Sequence, residues 1–179
     1  MIPAAYEATL QHAKDWHGQD VRGWYWSEKL DGCRARWTGH ELRSRGGHII
    51  TAPTAVLASL PAGMPLDLEV YAGVGMRERT RQAVQYGRWC DAVRLVCFDA
   101  PTAAGDWVLR MEAAAATGVD TVWHGTVAST DALRKLLGGV QGYGGEGLML
   151  TQPGKPYAPG RSARVLKCKD ARAFEEVAA

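Results

Sequence analysis

The sequence lacks three features that would assign a protein to a class at once: paired cysteines, a long apolar run and a strong net charge. Its four cysteines have no close spacing and no histidine cluster nearby, so we expect reduced thiols and neither zinc nor disulfides. No stretch is long enough to cross a membrane, and no basic start precedes a long apolar core, which predicts a cytoplasmic protein without a secretory signal. The net charge of +2 does not by itself indicate nucleic-acid binding.

The composition does favour a folded domain. A length of 179 residues suits one domain, and the 46% apolar content and seven tryptophans argue against disorder. The charge is also uneven, because the segment from Arg22 to Arg45 contains six basic and three acidic residues. Such a segment can hold a polyphosphate or a DNA backbone. For Arg22, Arg36 and Arg43, a solvated hairpin face is the alternative.

The pattern of apolar residues and turn signals predicts a mixed α and β chain. We expect helices at 76–87, 105–117 and 129–137, and strands at 23–30, 33–38, 41–45, 66–71, 93–98, 121–124, 147–151 and 163–169. The first three strands are predicted to form an antiparallel meander. Ser129 is expected to cap the last helix, and Gly138-Gly139 to end it.

The most informative segment is Ser27-Glu28-Lys29-Leu30-Asp31-Gly32-Cys33-Arg34-Ala35-Arg36. The spacing Lys-x-Asp-Gly-x-Arg is typical of enzymes that place a nucleoside monophosphate on the lysine nitrogen. An ordinary lysine is protonated at pH 7 and attacks phosphorus poorly, so cations or a bound metal nearby would have to favour the neutral amine. Gly32 allows a tight backbone turn. The alternative is a solvated lysine before an Asp-Gly turn.

Five further segments follow in order: Ser44-Arg45-Gly46-Gly47, Leu66-Asp67-Leu68-Glu69-Val70-Tyr71, Val96-Cys97-Phe98-Asp99, Gly145-Glu146-Gly147-Leu148-Met149-Leu150 and Val165-Leu166-Lys167-Cys168-Lys169. Together with the lysine run they resemble the nucleotidyltransferase (adenylation) domain of ATP-dependent DNA ligases, most closely the small bacterial and phage enzymes. The resemblance covers about residues 20 to 170. It implies an α+β fold of the ATP-grasp-like nucleotidyltransferase type, with antiparallel β-sheets and flanking helices, over residues 1–179.

The resemblance also implies the reaction. Lys29 would attack the α-phosphate of ATP and release pyrophosphate, and the AMP would pass to the 5′-phosphate of a DNA nick that the 3′-hydroxyl then seals. Lys167 and Lys169 are two residues apart on a predicted strand, so they face the same way and would stabilise charge on the phosphate. Two solvated lysines on an exposed strand are the alternative for this pair.

Two glutamates are expected to complete the catalytic set. By resemblance, Glu69 holds the ribose, and both Glu69 and Glu146 lie near a divalent cation. Mg²⁺, or Mn²⁺ in its place, suits oxygen ligands and phosphates. Asp67 shares the strand face of Glu69 and is expected to support it. Asp31 is expected to orient the loop, with a turn-capping role as the equal alternative.

Nucleotide contacts follow from the same resemblance. Phe98 and Met149 would sandwich the adenine, although core packing is the alternative for Phe98. The region of Glu28 would contact the adenine edge. Arg34 and Arg45 would bind the ribose and phosphate of AMP or the nick terminus, because a guanidinium fork suits phosphate.

The expected partner is nicked double-stranded DNA, bound by a monomer through Arg36, Arg43 and Arg161. The chain departs from the family at Leu68, where glycine is usual, and at Gly73-Val74-Gly75, where Gly-Arg-Gly is common. It ends ten residues after Lys169. We therefore expect the C-terminal OB domain to be absent, residues 171–179 to form a linker or short helix, and nick sealing to be less secure than self-adenylylation.

Two other classes of function use similar segments. An RNA ligase or an mRNA-capping guanylyltransferase would use the same lysine chemistry with another acceptor or nucleotide. A non-catalytic nucleotide- or nick-binding module would predict damage to the lysine, carboxylate or phosphate motifs, and these motifs are intact. The pathway, whether DNA replication, repair or phage DNA metabolism, is left open.

Overall fold

The computed structural model describes residues 9–174, which form two β-sheets packed with α-helices. The five-stranded sheet has the order β1 (Gln11–Asp15), β9 (Gly160–Cys168), β8 (Leu148–Thr151), β2 (Tyr25–Glu28) and β7 (His124–Thr126). The four-stranded sheet has the order β4 (Leu42–Ser44), β3 (Cys33–Trp37), β5 (Leu66–Tyr71) and β6 (Arg94–Asp99). The strand pairs are antiparallel, except that β1 pairs with β9 in parallel within the described residues. The expected α+β class is confirmed.

Four α-helices connect these strands within residues 9–174: α1 (Thr54–Ala58), α2 (Arg77–Tyr86), α3 (Trp107–Ala115) and α4 (Thr130–Gly142). Their ends follow local chemistry. The side chains of Asp106 and Ser129 accept backbone hydrogen bonds and cap α3 and α4. Gly87, in the left-handed region at φ 66°, ends α2. None of the described helices is long and apolar enough to cross a membrane.

The predicted end of the last helix was wrong, because α4 continues through Gly138 and Gly139 to Gly142. Leu133, Leu137 and Val140 recur at helical spacing and are all buried against β8 and β9. Burial of these side chains outweighs the cost of glycine in a helix, which is about 1 kcal/mol per residue relative to alanine.

The expected antiparallel meander was only half right. Strands β3 and β4 pair, but β2 lies in the other sheet, between β8 and β7. The segment 29–32 is therefore a crossing between the two sheets and not a hairpin turn. Strand β1 and helix α1 were not predicted, and the chain also forms a 3₁₀ helix at Ala171–Phe174. The last of these agrees with the expected short helix, and residues 175–179 lie outside the described part of the chain.

Apolar side chains form three clusters that define where the sheets meet. One lies around the four-stranded sheet and includes Leu66 and Leu68, and another lies around the five-stranded sheet and includes Leu148 and Leu150. A smaller third cluster consists of Tyr71, Val96, Trp107, Met111 and Val122, with Tyr25, Leu30 and Phe98 packed against it. Because this third cluster contacts elements of both sheets, it forms the floor of the space between them.

Candidate active site

A cleft with a volume of about 410 Å³ opens between the two sheets. Its walls contain most of the predicted site residues: Glu28, Lys29, Arg34, Arg45, Glu69, Phe98, Met149, Arg161, Lys167 and Lys169. These residues come from segments far apart in the sequence, so the fold brings the predicted set together. Glu146 is not part of the wall but contacts two of these lysines.

Lys29 lies at the crossing between the sheets. Its backbone N–H donates to the carbonyl of Gly147 at 2.8 Å, which joins the end of β2 to the start of β8. Its Nζ donates to one carboxylate oxygen of Glu146, and Lys169 Nζ donates to the other. About a quarter of each side chain of the Lys29–Glu146 pair is exposed, so solvent screens the pair only in part. One carboxylate thus holds two of the predicted catalytic amines.

The charge of Glu146 is set by opposing influences. Burial disfavours its ionised form, but the hydrogen bonds from Lys169 and Lys29 outweigh burial and hold the pKa of Glu146 below its usual value. The carboxylate is therefore ionised at neutral pH and accepts from both ammonium groups.

Glu69 lies on β5 beside the crossing. Its pKa is raised to about 7, first because burial penalises the charged carboxylate, and Glu146 adds a smaller repulsion. Lys29, Arg34 and the backbone N–H of Gly32 oppose this rise. Near neutral pH this carboxyl group is close to half ionised, so a cation bound beside it would favour the charged form.

Two glycines allow the segments around these carboxylates to approach each other. A Cβ atom on Gly32 would lie 2.2 Å from the carbonyl oxygen of Val70 and 2.8 Å from Cγ of Glu69. Gly147 has φ 148°, and a Cβ atom there would lie 2.5 Å from the carbonyl oxygen of Cys168. A side chain at either position would push apart the backbone segments that carry the candidate catalytic groups.

The described part of the chain does not contain a complete set of metal-binding side chains. Within residues 9–174, no group of three or more His, Cys, Asp or Glu side chains is arranged to hold an ion. Glu69 and Glu146 do lie near enough to influence each other electrostatically. The metal role of these two carboxylates stays a prediction.

Arg34 is held from two sides. Its Nη2 donates to Oδ2 of Asp67 at 2.7 Å, and its Nη1 donates to the carbonyl of Gln11 at 2.6 Å. The guanidinium carbon lies 5.2 Å from the centroid of the Phe98 ring. Asp67 is fully buried, so its charge is stabilised by this contact with Arg34. Asp67 therefore supports Arg34 more directly than it supports Glu69.

The predicted adenine contacts lie on opposite sheets. Phe98 is on β6 and Met149 is on β8, and both are partly buried in the cleft wall. Phe98 also packs against the third cluster. Its ring is therefore part of the core and also part of the cleft wall. Glu28 also lines the cleft, and burial together with the Glu28 carboxylate raises the pKa of Tyr143 to about 12.

Lys167 and Lys169 both line the cleft, as their spacing predicted. Lys167 Nζ lies 3.1 Å from Oδ1 of Asp15, and this hydrogen bond lowers the pKa of Asp15. Asp15 was not among the predicted residues, because it lies on the unpredicted strand β1. Only the pairing of β1 with β9 brings the two groups together.

Two of the predicted DNA contacts lie outside the cleft wall. Arg36 is only 14% exposed, with Nε 3.9 Å from Oδ1 of Asp67 and Nη1 3.1 Å from the hydroxyl of Thr9. Arg43, its cross-strand neighbour, donates to Glu41 at 3.0 Å and to the carbonyl of Gly47 at 2.8 Å. Both guanidinium groups already have internal contacts.

Asp31, predicted to orient the loop, accepts a hydrogen bond from Arg77 Nη1 at 3.0 Å. The contact ties the crossing to the first residue of α2. Sequence reasoning did not identify Arg77, because the two residues are 46 positions apart.

A buried ion pair beside the cleft was also missed. Arg110 on α3 donates from Nε to Oδ1 of Asp99 at 2.7 Å and from Nη2 to Oδ2 at 3.0 Å. Both side chains are almost fully buried, and burial raises the pKa of Asp99. The available signal was an arginine within an otherwise alanine-rich helix, since a buried guanidinium requires a partner.

No protein-family model matches the chain. Comparison with individual proteins and with solved structures does find similar proteins. A curated DNA ligase of Haemophilus influenzae is 28% identical over an alignment of 169 residues that covers 89% of this chain. The match covers 63% of that ligase, so the chain spans less than two thirds of this relative.

Solved structures agree with that match. A structure of Lig E DNA ligases is 35% identical, with a TM-score of 0.79 over 90% of this chain and 68% of its own. The Chlorella virus DNA ligase–adenylate is 18% identical, with a TM-score of 0.72 over 90% of this chain and 67% of that one. The bacteriophage T7 ligase complex with ATP is 13% identical, with a TM-score of 0.67 over 93% of this chain and 70% of that one. The last two similarities establish the fold alone.

Proposed function

Because the chain belongs to the family of ATP-dependent DNA ligases, we propose that it forms lysyl-AMP at Lys29 and passes the AMP to a 5′-phosphate at a DNA nick. The observation that carries this proposal is the placement of Lys29, Glu146 and Lys169 in one hydrogen-bonded group beside the cleft. The adenine-binding candidates Phe98 and Met149 lie in the same cleft.

The first step is attack by the Lys29 nitrogen on the α-phosphorus of ATP. A nitrogen–phosphorus bond forms, the bond to the leaving oxygen breaks, and pyrophosphate departs. The amine must lose a proton, and the nearest acceptor in the structure is the ionised carboxylate of Glu146. Lys167 on β9 and Lys169, directly after the end of this strand, line the cleft, where their charges would stabilise the negative charge that grows on the phosphate.

The donor set fits a magnesium ion held mainly by phosphate oxygens and water. Glu69 and Glu146 would provide the protein ligands, and one or two carboxylates are what Mg²⁺ usually takes in phosphate sites. When bound, such an ion neutralises charge on the phosphate oxygens during departure of pyrophosphate. The same two carboxylates contact or lie beside Lys29, so they would also set the position of the nucleophile.

Nucleotide orientation would come from the opposite walls of the cleft. The adenine would lie between Phe98 and Met149, with Glu28 at its edge. Arg34, which lies over Phe98, would face the ribose and α-phosphate, and Arg45 would lie farther toward the phosphates. In this orientation the α-phosphate would lie near Lys29, and the pyrophosphate would face Lys167 and Lys169.

Phe98→Ala is expected to weaken ATP binding by about 1–3 kcal/mol, or roughly 5- to 150-fold in Kd, because base–aromatic stacking is lost. Titration calorimetry with ATP measures this change. Tyr86→Ala is the matched control, since this aromatic side chain is exposed at the end of α2. Unfolding of Phe98→Ala without a separable nucleotide effect would favour the core role of the ring.

DNA binding is the second part of the proposal, and we assign a phosphate contact to Arg161. This residue is exposed at the cleft, while the guanidinium groups of Arg36 and Arg43 are held by internal partners. The 5′-phosphate of a nick must approach the lysyl-AMP, so an arginine in the cleft wall is better placed than one on β3 or β4 outside the cleft wall.

Arg161→Ala is expected to reduce the slope of log binding constant against log salt by about 0.9, the value for one phosphate contact. The measurement is fluorescence anisotropy of a labelled nicked duplex over a salt series. Arg43→Ala is the matched control, with an unchanged slope expected. If Arg43→Ala lowers the slope and Arg161→Ala leaves it intact, the DNA lies on the four-stranded sheet instead.

Incubation with labelled ATP or GTP, followed by a denaturing gel, tests the proposed reaction. Covalent label from ATP supports a ligase, and transfer of that label to a nicked duplex supports the second step. Label from GTP alone would indicate a capping-type guanylyltransferase. Tight ATP binding without any covalent label would indicate a binding module.

A further inference from the structure

The loop between β8 and β9, residues 152–159, joins two strands of the five-stranded sheet. Its hydrogen bonds, however, go to a helix that packs on the four-stranded sheet. The backbone N–H of Gly154 donates to Oδ2 of Asp106 at 3.0 Å. The carbonyl of Lys155 accepts from Arg110 Nη1 at 3.3 Å. Asp106 caps helix α3, and Arg110 lies within that helix, which packs on β6. The loop therefore spans from one sheet to the other.

Tyr157 is the residue of this loop that enters the cleft wall. Its hydroxyl donates to Oδ2 of Asp67 at 2.7 Å and accepts from the backbone N–H of Gln11 at 2.7 Å. Asp67 belongs to β5 and Gln11 to β1, so one hydroxyl joins the two sheets. Burial, together with the nearby Asp67 carboxylate, raises the pKa of Tyr157, and the hydroxyl stays protonated at neutral pH.

The same two partners hold Arg34. Its Nη2 donates to Asp67 Oδ2, the oxygen that Tyr157 also contacts, and its Nη1 donates to the carbonyl of Gln11. Tyr157, Asp67, Arg34 and Gln11 therefore form a closed ring of hydrogen bonds. The ring leaves Arg34 over Phe98, at a centroid distance of 5.2 Å.

Arg110 supports this ring from outside. Its guanidinium carbon lies 5.9 Å from the centroid of the Tyr157 ring, and its fork is fixed by the buried Asp99. Since Asp99 directly follows Phe98, the strand that carries Phe98 and the loop that carries Tyr157 share one anchor. A change in the loop would therefore reach the nucleotide pocket.

We propose that Tyr157 is a positioning residue for lysine adenylylation, whose hydroxyl closes the ring that holds Arg34 against the nucleotide. This inference rests on the proposed function of the cleft. An arginine side chain is flexible, and holding its fork in advance avoids an entropy cost when ATP binds. Arg34 would contact groups already present in bound ATP, so its loss of order should weaken ATP binding more than it slows the chemical step.

The test is Tyr157→Phe, which keeps the ring and removes the hydroxyl. We expect the KM for ATP in lysyl-AMP formation to rise about tenfold, in line with loss of a hydrogen bond to a charged group, and kcat to change less than about threefold. Tyr86→Phe, at an exposed tyrosine of α2, is the matched control and should match the wild type. Reversible unfolding raises the apparent KM only in inverse proportion to the folded fraction, so a tenfold rise would need about nine tenths of the variant unfolded, which circular dichroism would reveal.

A double-mutant cycle with Arg34→Lys tests whether Tyr157→Phe changes KM through Arg34. If Tyr157 acts through Arg34, Tyr157→Phe will raise KM much less in the Arg34→Lys background than in the wild type. Equal effects in both backgrounds, or a KM equal to that of Tyr86→Phe, would overturn the inference.

ATP binding to the same variants can be measured by calorimetry, and this measurement does not require the proteins to be catalytically active. A wild-type protein that binds ATP but takes no label at Lys29 would reject the proposed reaction. In that case the Kd of Tyr157→Phe for ATP still tests the ring of hydrogen bonds. We expect the same tenfold weakening, and an unchanged Kd would overturn the inference.

Discussion

Lys29→Ala is expected to abolish covalent transfer of AMP to the protein. The lysine Nζ lies beside the cleft at the point where both sheets meet, in contact with the carboxylate of Glu146. Of the other two lysines in the cleft wall, Lys167 is paired with Asp15, and Lys169 shares Glu146 with Lys29 but lies outside the crossing segment 29–32. Intact-mass spectrometry after incubation with ATP and Mg²⁺ should show the adduct on the wild type and none on the variant.

The control for this experiment is Lys135→Ala, which removes an exposed lysine from α4 and should leave the adduct unchanged. ATP affinity of Lys29→Ala should stay within several-fold of the wild type, because the proposed adenine contacts of Phe98 and Met149 are unchanged. An adduct on Lys29→Ala, mapped by peptide sequencing to Lys167 or Lys169, would show that the nucleophile has been assigned to the wrong amine.

The composition of the cleft could be predicted from sequence because its residues occur in short, ordered segments. Glu69, Phe98, Met149 and Lys167 all lie on strands, where alternation fixes which side chains share a face. The segments resemble those of a known family in order and spacing, and the family fold assembles them. Ten of the predicted residues therefore line one cleft although local pattern alone could not place them together.

The crossing of the chain from one sheet to the other at Lys29 could not be predicted in the same way. Asp31-Gly32 is a common turn signal, and strands on both sides of it predict a hairpin. The structure instead passes the chain from one sheet to the other at residues 29–32, because β2 pairs with β7 and β8, and β3 with β4 and β5. Strand pairing depends on tertiary packing, and a turn signal does not contain that information.

The polar network around Arg34 was invisible for a related reason. Asp67 and Tyr157 are 90 positions apart, and Arg34 and Gln11 are 23 apart. Burial of a polar group is tolerated only when a partner is supplied by the fold, so its role becomes apparent after the chain is assembled. Sequence reasoning placed Asp67 beside Glu69 by strand alternation, whereas its contacts connect it to Arg34.

Gly32→Ala is expected to slow lysyl-AMP formation about 100-fold, although only one methyl group is added. Its Cβ would lie 2.2 Å from the carbonyl oxygen of Val70 and 2.8 Å from Cγ of Glu69, so the crossing must move away from β5. A displacement of about 1 Å at catalytic groups can cost roughly this factor in rate. Stability should fall by about 1–3 kcal/mol, as for other overpacked sites. Single-turnover labelling at saturating ATP and urea unfolding measure the two effects.

Gly138→Ala adds the same methyl group in the interior of α4, where it meets nothing within 4 Å beyond the adjacent backbone of its own helix. This control should keep the full rate of labelling and gain up to about 1 kcal/mol of stability, because alanine favours a helix over glycine. The contrast separates the effect of the position from that of the residue change. If Gly32→Ala labels within threefold of the wild type at saturating ATP, the close approach of the crossing to Glu69 is not needed for the chemistry. Lys29 would then be positioned well enough by its contacts with Glu146 and the Gly147 carbonyl.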